Sequence, residues 1–397
     1  MGQLETNAHQ LKHANKTIYD GKSQFFEETA SRERFKSDNF RELELDFSTD
    51  MTVRKAVERL NRLRREDVGI IPTTYRNNVE SEGTAIQREK ERLAAEALLA
   101  NGFNGDAELI QPDRISKDEP LYVKYETVQK AAESRNIDHF APTDYELPEC
   151  AVNISIDDVC VKRQSEMRPK NESKEQPKRV NNTVIHIQHG DHKCILNAQS
   201  IPAAIKLLIG LLLNSSLLSK QLVFFTDGAR DIHSWIVKLF SLMNYKIILD
   251  WYHLRKKCQE QLSMILNGRK VRNEFLDKLM PCLWFGNVSG AIKMLKELDS
   301  AQIRNQALLV RLIEYLERVH KYIPNYALRK ELGLRNSSNV GEKSNDILVA
   351  SRQKHNGMSW SNAGSLAFAA VAAANYNDEL RQYVYNGSVL LRLPFAA

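Results

Sequence analysis

Residues 221–253 read QLVFFTDGARDIHSWIVKLFSLMNYKIILDWYH. An apolar run of β-forming residues, Leu222-Val223-Phe224-Phe225, closes on Thr226-Asp227-Gly228. Ile232, Trp235, Ile236, Leu239 and Phe240 then recur at helical spacing, and a second run, Lys246-Ile247-Ile248-Leu249, ends on Asp250-Trp251-Tyr252-His253. Short apolar runs on either side of a helix predict buried parallel strands of one strand-helix-strand unit. Each run delivers an acid at its C-terminal end, the edge where open α/β sheets place their chemistry. Aspartate is also a good helix N-cap. Asp227 and Asp250 therefore have an ordinary structural explanation unless other acids converge on them.

Upstream, residues 151–161 (AVNISIDDVCV) alternate with a period of two and carry Asp157 and Asp158. A polar Lys/Glu-rich loop is expected over 162–179. Two further runs follow at 182–188 and 193–196, joined by His189-Gly190-Asp191-His192 as a hairpin turn. An apolar helix is expected over 201–218. The order from residue 150 is thus three strands, a helix, a strand, a helix and a strand. Three antiparallel strands, a crossover helix and a βαβ unit make a ribonuclease H-like α/β arrangement. In it the first and fourth strands are neighbours, so Asp157 and Asp227 meet although 70 positions separate them. Alternation points Asp158 to the opposite face. His186, His189 and His192 alternate faces and straddle a turn, so no zinc site is expected there.

Downstream, residues 254–335 are helical in pattern with no strand. Arg255, Lys256, Lys257, Arg269, Lys270 and Arg272 make their first part basic, either as a phosphate-binding face or as a solvated one. Glu342 opens a further helix with Asn345, Asp346 and Val349 near it at helical spacing. Gly357 turns the chain, and the Ala-rich residues 363–376 predict a closely packed helix.

Asp157, Asp227 and Glu342 would place three carboxylates together on two strands and a helix. Mg²⁺ takes oxygen ligands and keeps several waters, so two or three carboxylates from separate elements hold it. Two such ions about 4 Å apart suit phosphodiester cleavage or joining. Without a cation, three neighbouring carboxylates raise one another's pKa. Asp346, one turn after Glu342, is an alternative third ligand.

The N-terminal region reads differently. Residues 1–50 are polar, with weak helical periodicity. Thr52 begins a helix carrying Val53, Ala56, Val57, Leu60 and Leu63, and a connector at 65–72 leads to a short second helix capped by Thr73 or Thr74. Two short helices and a tight connector predict a helix-turn-helix, with Thr74, Arg76, Asn77 and Asn78 suited to phosphates and base edges. An ordinary helical hairpin is the alternative. A charged helix follows at 86–100. The chain has 56 basic and 50 acidic residues, a net charge of +6, which permits a nucleic-acid partner. Five scattered cysteines without a CxxC pair indicate neither a disulfide framework nor a zinc knuckle, and fit a reducing cytosol. The first residues lack the apolar core of a signal peptide. The longest apolar run, 201–213, is too short to span a bilayer.

The series Asp157, Asp227-Gly228, Asp250-x-x-His253, helical insertion and Glu342 resembles the DDE transposases of bacterial insertion sequences. The resembling branch is the one related to Mutator-like and hAT transposases. It covers residues 152–364, and TDGA, LDWYH and GMSWSNAG are its best-matching pieces. The resemblance implies Asp157, Asp227 and Glu342 as catalytic acids and ligands of two Mg²⁺ ions, with Mn²⁺ as substitute. Asp250 and His253 match the pair beside the site, where His253 either pairs with Asp250 in the core or positions DNA. Double-stranded DNA is then the partner, at terminal inverted repeats and at the target. Thr74, Arg76, Asn77, Arg255, Lys256 and Lys257 are the expected DNA contacts. Strand transfer implies a homodimer or larger assembly, and the family implies a cytoplasmic, nucleoid-associated bacterial protein. The expected divisions are a polar helical region (1–50), a helix-turn-helix domain (51–102), a linker (103–149), the first part of the core (150–253), the helical insertion (254–335) and the C-terminal helices of the core (336–397). A structure-specific nuclease or resolvase, or a catalytically silent DNA-binding derivative, are the competing readings.

Overall fold

The computed structural model describes residues 36–64, 69–115, 117–138, 140–141, 144–164, 178–337, 345–354 and 358–393, with a two-residue ladder between Lys12–His13 and Lys16–Thr17. The alternating segments become a five-stranded mixed sheet. Its strands are β1 (Ala151–Lys162), β2 (Arg179–His189), β3 (His192–Ala198), β4 (Gln221–Thr226) and β5 (Tyr245–Leu249). Their order across the sheet is β3-β2-β1-β4-β5. The first three are antiparallel, and Gly190 takes the left-handed conformation (φ +57°) in the turn between His189 and His192. β4 runs parallel to both β1 and β5. The loop expected at 162–179 lies for the most part (165–177) outside the described residues.

Alternation sorts the strand side chains into cores on the two faces of the sheet. Val152, Ile154 and Ile156 of β1 join Leu222 and Phe224 of β4 under the apolar helix Ile201–Asn214 and the helix Arg230–Phe240. On the other face, Val223 and Phe225 pack with Ile248, Leu249 and the helices after the sheet. Further along that face, Val159 and Val161 pack with the C-terminal Ala-rich helix. The run Leu222–Thr226 is buried throughout, which explains its unbroken apolar character. The helix expected over 201–218 stops at Asn214, and Ser216 turns the chain at φ +54°.

Residues 251–331 form five helices: α7 (Trp251–Ile265), α8 (Arg269–Trp284), α9 (Val288–Lys296), α10 (Gln306–Val319) and α11 (Tyr326–Glu331). They share one apolar core with the inner ends of β4 and β5.

The N-terminal helices depart from expectation. Val53–Arg64 is helical, but the expected short second helix is the first part of a 29-residue helix, Pro72–Ala100 (α3), which also absorbs the charged helix. Pro72 occupies its first turn and Ile71 its N-cap, so neither Thr73 nor Thr74 caps it. Gly83, inside this helix, is a crossing point: a Cβ there would run into the carbonyl oxygen of Ala367 in the Ala-rich helix Asn362–Tyr376. The buried side of α3, with Tyr75, Val79 and Ile86, joins a core shared with β1, β2 and that helix. The two short helices with a tight connector are thus corrected to one short and one long helix seated on the sheet's own core.

Candidate active site

Asp157 lies midway along β1, still paired with Val184 of β2, and Asp227 immediately follows β4. Because β1 and β4 pair in parallel as far as Ser155 opposite Phe225, Asp157 lies two residues beyond the last pair, level with the chain's exit from β4 at Asp227. Asp157 is half-buried. Its Oδ1 accepts from the backbone N–H of Asp158 at 2.9 Å, and its Oδ2 accepts from the Asn345 side-chain amide. Its pKa is pushed up to about 6, first by burial and then by the charge of Asp227, with His253 opposing. Asp158 lies on the other face, where its carboxylate accepts from the Thr183 hydroxyl. Burial raises its pKa too, with smaller contributions from Asp227 and Asp231.

Asp227 is half-buried, and its Oδ1 accepts from the Ala229 N–H at 2.8 Å. Gly228 follows at φ +85°, a conformation suited to glycine. Thr226 Oγ1 lies 2.6 Å from Nε2 of the buried His233. Burial and Arg318 lower the pKa of that histidine to about 4.

Asp250 is buried at the N-terminus of α7. Its backbone N–H donates to the Thr226 carbonyl at 2.8 Å, tying the ends of β4 and β5 together. Its Oδ1 caps the helix by accepting from the His253 N–H at 3.0 Å, and the His253 imidazole Nδ1 stands 3.4 Å from the same oxygen. Asp250 therefore has the ordinary capping role, and its partner His253 is the group whose charge acts on Asp157. Arg255, Lys256 and Lys257 are exposed on the next turns of α7. Lys257 Nζ lies 4.8 Å from the centroid of the Tyr315 ring.

Glu342 falls outside the described residues. Asn345 and Asp346 are described: Asn345 reaches Asp157, whereas Asp346 is exposed at the start of a π-wound helix, Asp346–Lys354. Among the described residues no group of three or more His, Cys, Asp or Glu side chains is arranged to hold a metal ion. That statement includes His186, His189 and His192. The buried His186 is held neutral, with burial as the main cause lowering its pKa to about 4.

Thr74, Arg76 and Asn77 are exposed on the first turns of α3. The Arg76 guanidinium stands 3.8 Å from Glu80 on the same helix. Asn78 is turned inward and donates to Glu44 at 3.0 Å.

Three residues that sequence reasoning passed over also converge here. Asn345 had only helical spacing to recommend it. Tyr315 and Arg318 lie in α10, 88 and 91 positions after Asp227. Tyr315 packs on Gly228, and Arg318 donates to the Gly228 carbonyl at 3.2 Å. Burial drives the pKa of the Tyr315 hydroxyl up, and Cys258 and Asp227 add to the effect. Only tertiary contact reveals these groups.

The chain matches no family model and no curated protein. Among solved structures it is similar to a chain of a Drosophila P element transposase strand transfer complex. The identity is 9%, the TM-score is 0.27, and the match spans 97% of this chain and 88% of that one. A likeness at that score carries no argument about this protein. Among the described residues no helix is long and apolar enough to cross a membrane.

Proposed function

We propose that the chain is a divalent-metal-dependent DNA transposase whose sheet is a ribonuclease H-like catalytic core. The observation that carries this reading is the meeting of Asp157 and Asp227. Two acids far apart in sequence meet where the pairing of two parallel strands ends, close enough for one to raise the other's pKa. The strand order β3-β2-β1-β4-β5, with its antiparallel first three strands, supports the fold assignment. Two neighbouring carboxylates in a half-buried place repel each other, and a cation between them would remove that repulsion.

The donor set suits Mg²⁺, a hard ion that needs few protein oxygens. Asp157 and Asp227 would hold it, with Glu342 as the proposed third acid. Such an ion lowers the pKa of an attacking water or hydroxyl and stabilises the leaving oxygen of a phosphodiester. The chain's own residues prepare the place. Asn345 and the Asp158 N–H each take one oxygen of Asp157 and leave further lone pairs available. Asp250 joins the ends of β4 and β5 and orients His253 toward Asp157. Arg255, Lys256 and Lys257 are exposed positive charges on the helix that follows Asp250, and would contact a DNA backbone.

The test is cleavage of a labelled duplex carrying the flanking ends of the element, in Mg²⁺ or Mn²⁺. Wild type should yield metal-dependent 3′-hydroxyl ends and Asp227→Asn should yield at least a hundredfold fewer. Equal cleavage by both proteins would overturn the carboxylate assignment. Cleavage without regard to end sequence would favour a structure-specific nuclease.

A further inference from the structure

The turn that carries Asp227 is held from outside the sheet. The peptide unit between Gly228 and Ala229 is engaged at both ends. Its N–H donates to Asp227 Oδ1 at 2.8 Å, and its carbonyl accepts from Arg318 Nη1 at 3.2 Å. A peptide is planar, so fixing the carbonyl fixes the direction of the N–H. A cationic donor on the carbonyl also polarises the unit and strengthens the bond its N–H makes.

Arg318 is itself located by Tyr315, one turn earlier on α10, with its guanidinium 5.4 Å from the ring centroid. Tyr315 lies against the turn: a Cβ on Gly228 would stand 3.3 Å from the Tyr315 hydroxyl oxygen and 2.9 Å from Leu249 Cδ1. Neither the backbone angle at 228 nor the space beside it admits another residue. From α7, Lys257 approaches the same ring. The helical insertion thus forms one wall of the site.

We infer that Arg318 is a positioning residue for Asp227, acting through the Gly228–Ala229 peptide with Tyr315 as its platform. The inference rests on Asp227 being a metal-binding acid, as proposed above. It gives the insertion a task at the site: the aim of the second carboxylate depends on α10.

The experiment uses the full chain and Mn²⁺ as the probe, with binding followed by the loss of the free-ion paramagnetic resonance signal. Arg318→Met keeps the stem over Tyr315 and removes the donor. Arg318→Lys keeps a charge and a single donor. The inference expects Arg318→Met to weaken Mn²⁺ binding about tenfold, with the melting temperature and duplex-end affinity near wild type, and Arg318→Lys to fall between. Wild-type Mn²⁺ affinity in Arg318→Met would overturn it, as would a loss that only tracks a fall in melting temperature. If Arg318→Met fails to fold, Arg318→Lys decides on the same readout: weaker binding by a folded protein supports the inference, and unchanged binding overturns it. Wild type that binds Mn²⁺ through Asp227 but cuts no duplex would sink the transposase reading alone. Mn²⁺ binding that Asp227→Asn leaves intact would overturn both.

Discussion

At the scale of single residues, Asp157 carries the most information, because its position opposes stability. Its pKa is raised from 3.8 to about 6 by burial and by Asp227. The folded chain therefore keeps a proton there through a range in which the unfolded chain has lost it. Stability from this group is present below about pH 4, falls as pH rises through about 6, and stays low above. In chelator at pH 7.5, Asp157→Asn should stabilise the protein by about 1–2 kcal/mol, a figure discounted for partial solvation. Saturating Mn²⁺ should abolish or reverse the difference, because the ion stabilises only the chain with both acids. Thermal melts of the two proteins with and without the ion check this. An unchanged difference would mean that no cation binds at the pair.

Single elements show how context overrides local preference. Gly83 lies inside α3, where glycine ordinarily costs about 1 kcal/mol relative to alanine. Gly83→Ala should nevertheless destabilise the chain, by about 2–3 kcal/mol. The added methyl meets the backbone carbonyl of Ala367, which no rotamer change relieves. Urea unfolding of Gly83→Ala would decide it, and any gain in stability would refute the close crossing. A residue that disfavours helix on its own is selected here by the helix packed across it. Gly228 differs, because its own left-handed backbone (φ +85°) calls for glycine.

For the whole molecule, the question is what joins its parts. Arg329 of α11 is fully buried, and its guanidinium donates to both oxygens of Glu146, at 3.0 and 2.6 Å, and to the Arg335 carbonyl. Glu146 belongs to the stretch before β1, and Lys246 of β5 stands 3.6 Å from it. One carboxylate therefore ties the stretch before the sheet to the last strand and to the insertion. Glu146→Ala leaves a buried guanidinium without its counter-ion, which typically costs about 3–5 kcal/mol. Denaturant unfolding should show that loss as a single cooperative transition at lower midpoint. A separate early transition of the insertion alone would show instead that the parts unfold independently.

The sequence by itself determined the strands of the sheet, the acid within β1 and those that follow β4 and β5, and the helical character of residues 254–335. Each rests on local pattern: alternation along β1, unbroken apolar runs at β4 and β5, and helical periodicity afterwards. A local pattern also reported the capping role of Asp250. Tertiary structure alone decided that Asn345 bonds Asp157, that Arg318 and Tyr315 hold the Asp227 turn, and that α3 runs unbroken across the Ala-rich helix. The reason is physical. Strand and helix periodicities arise between neighbours along the chain, whereas a hydrogen bond between groups some 90 or 190 positions apart leaves no periodic trace in either segment.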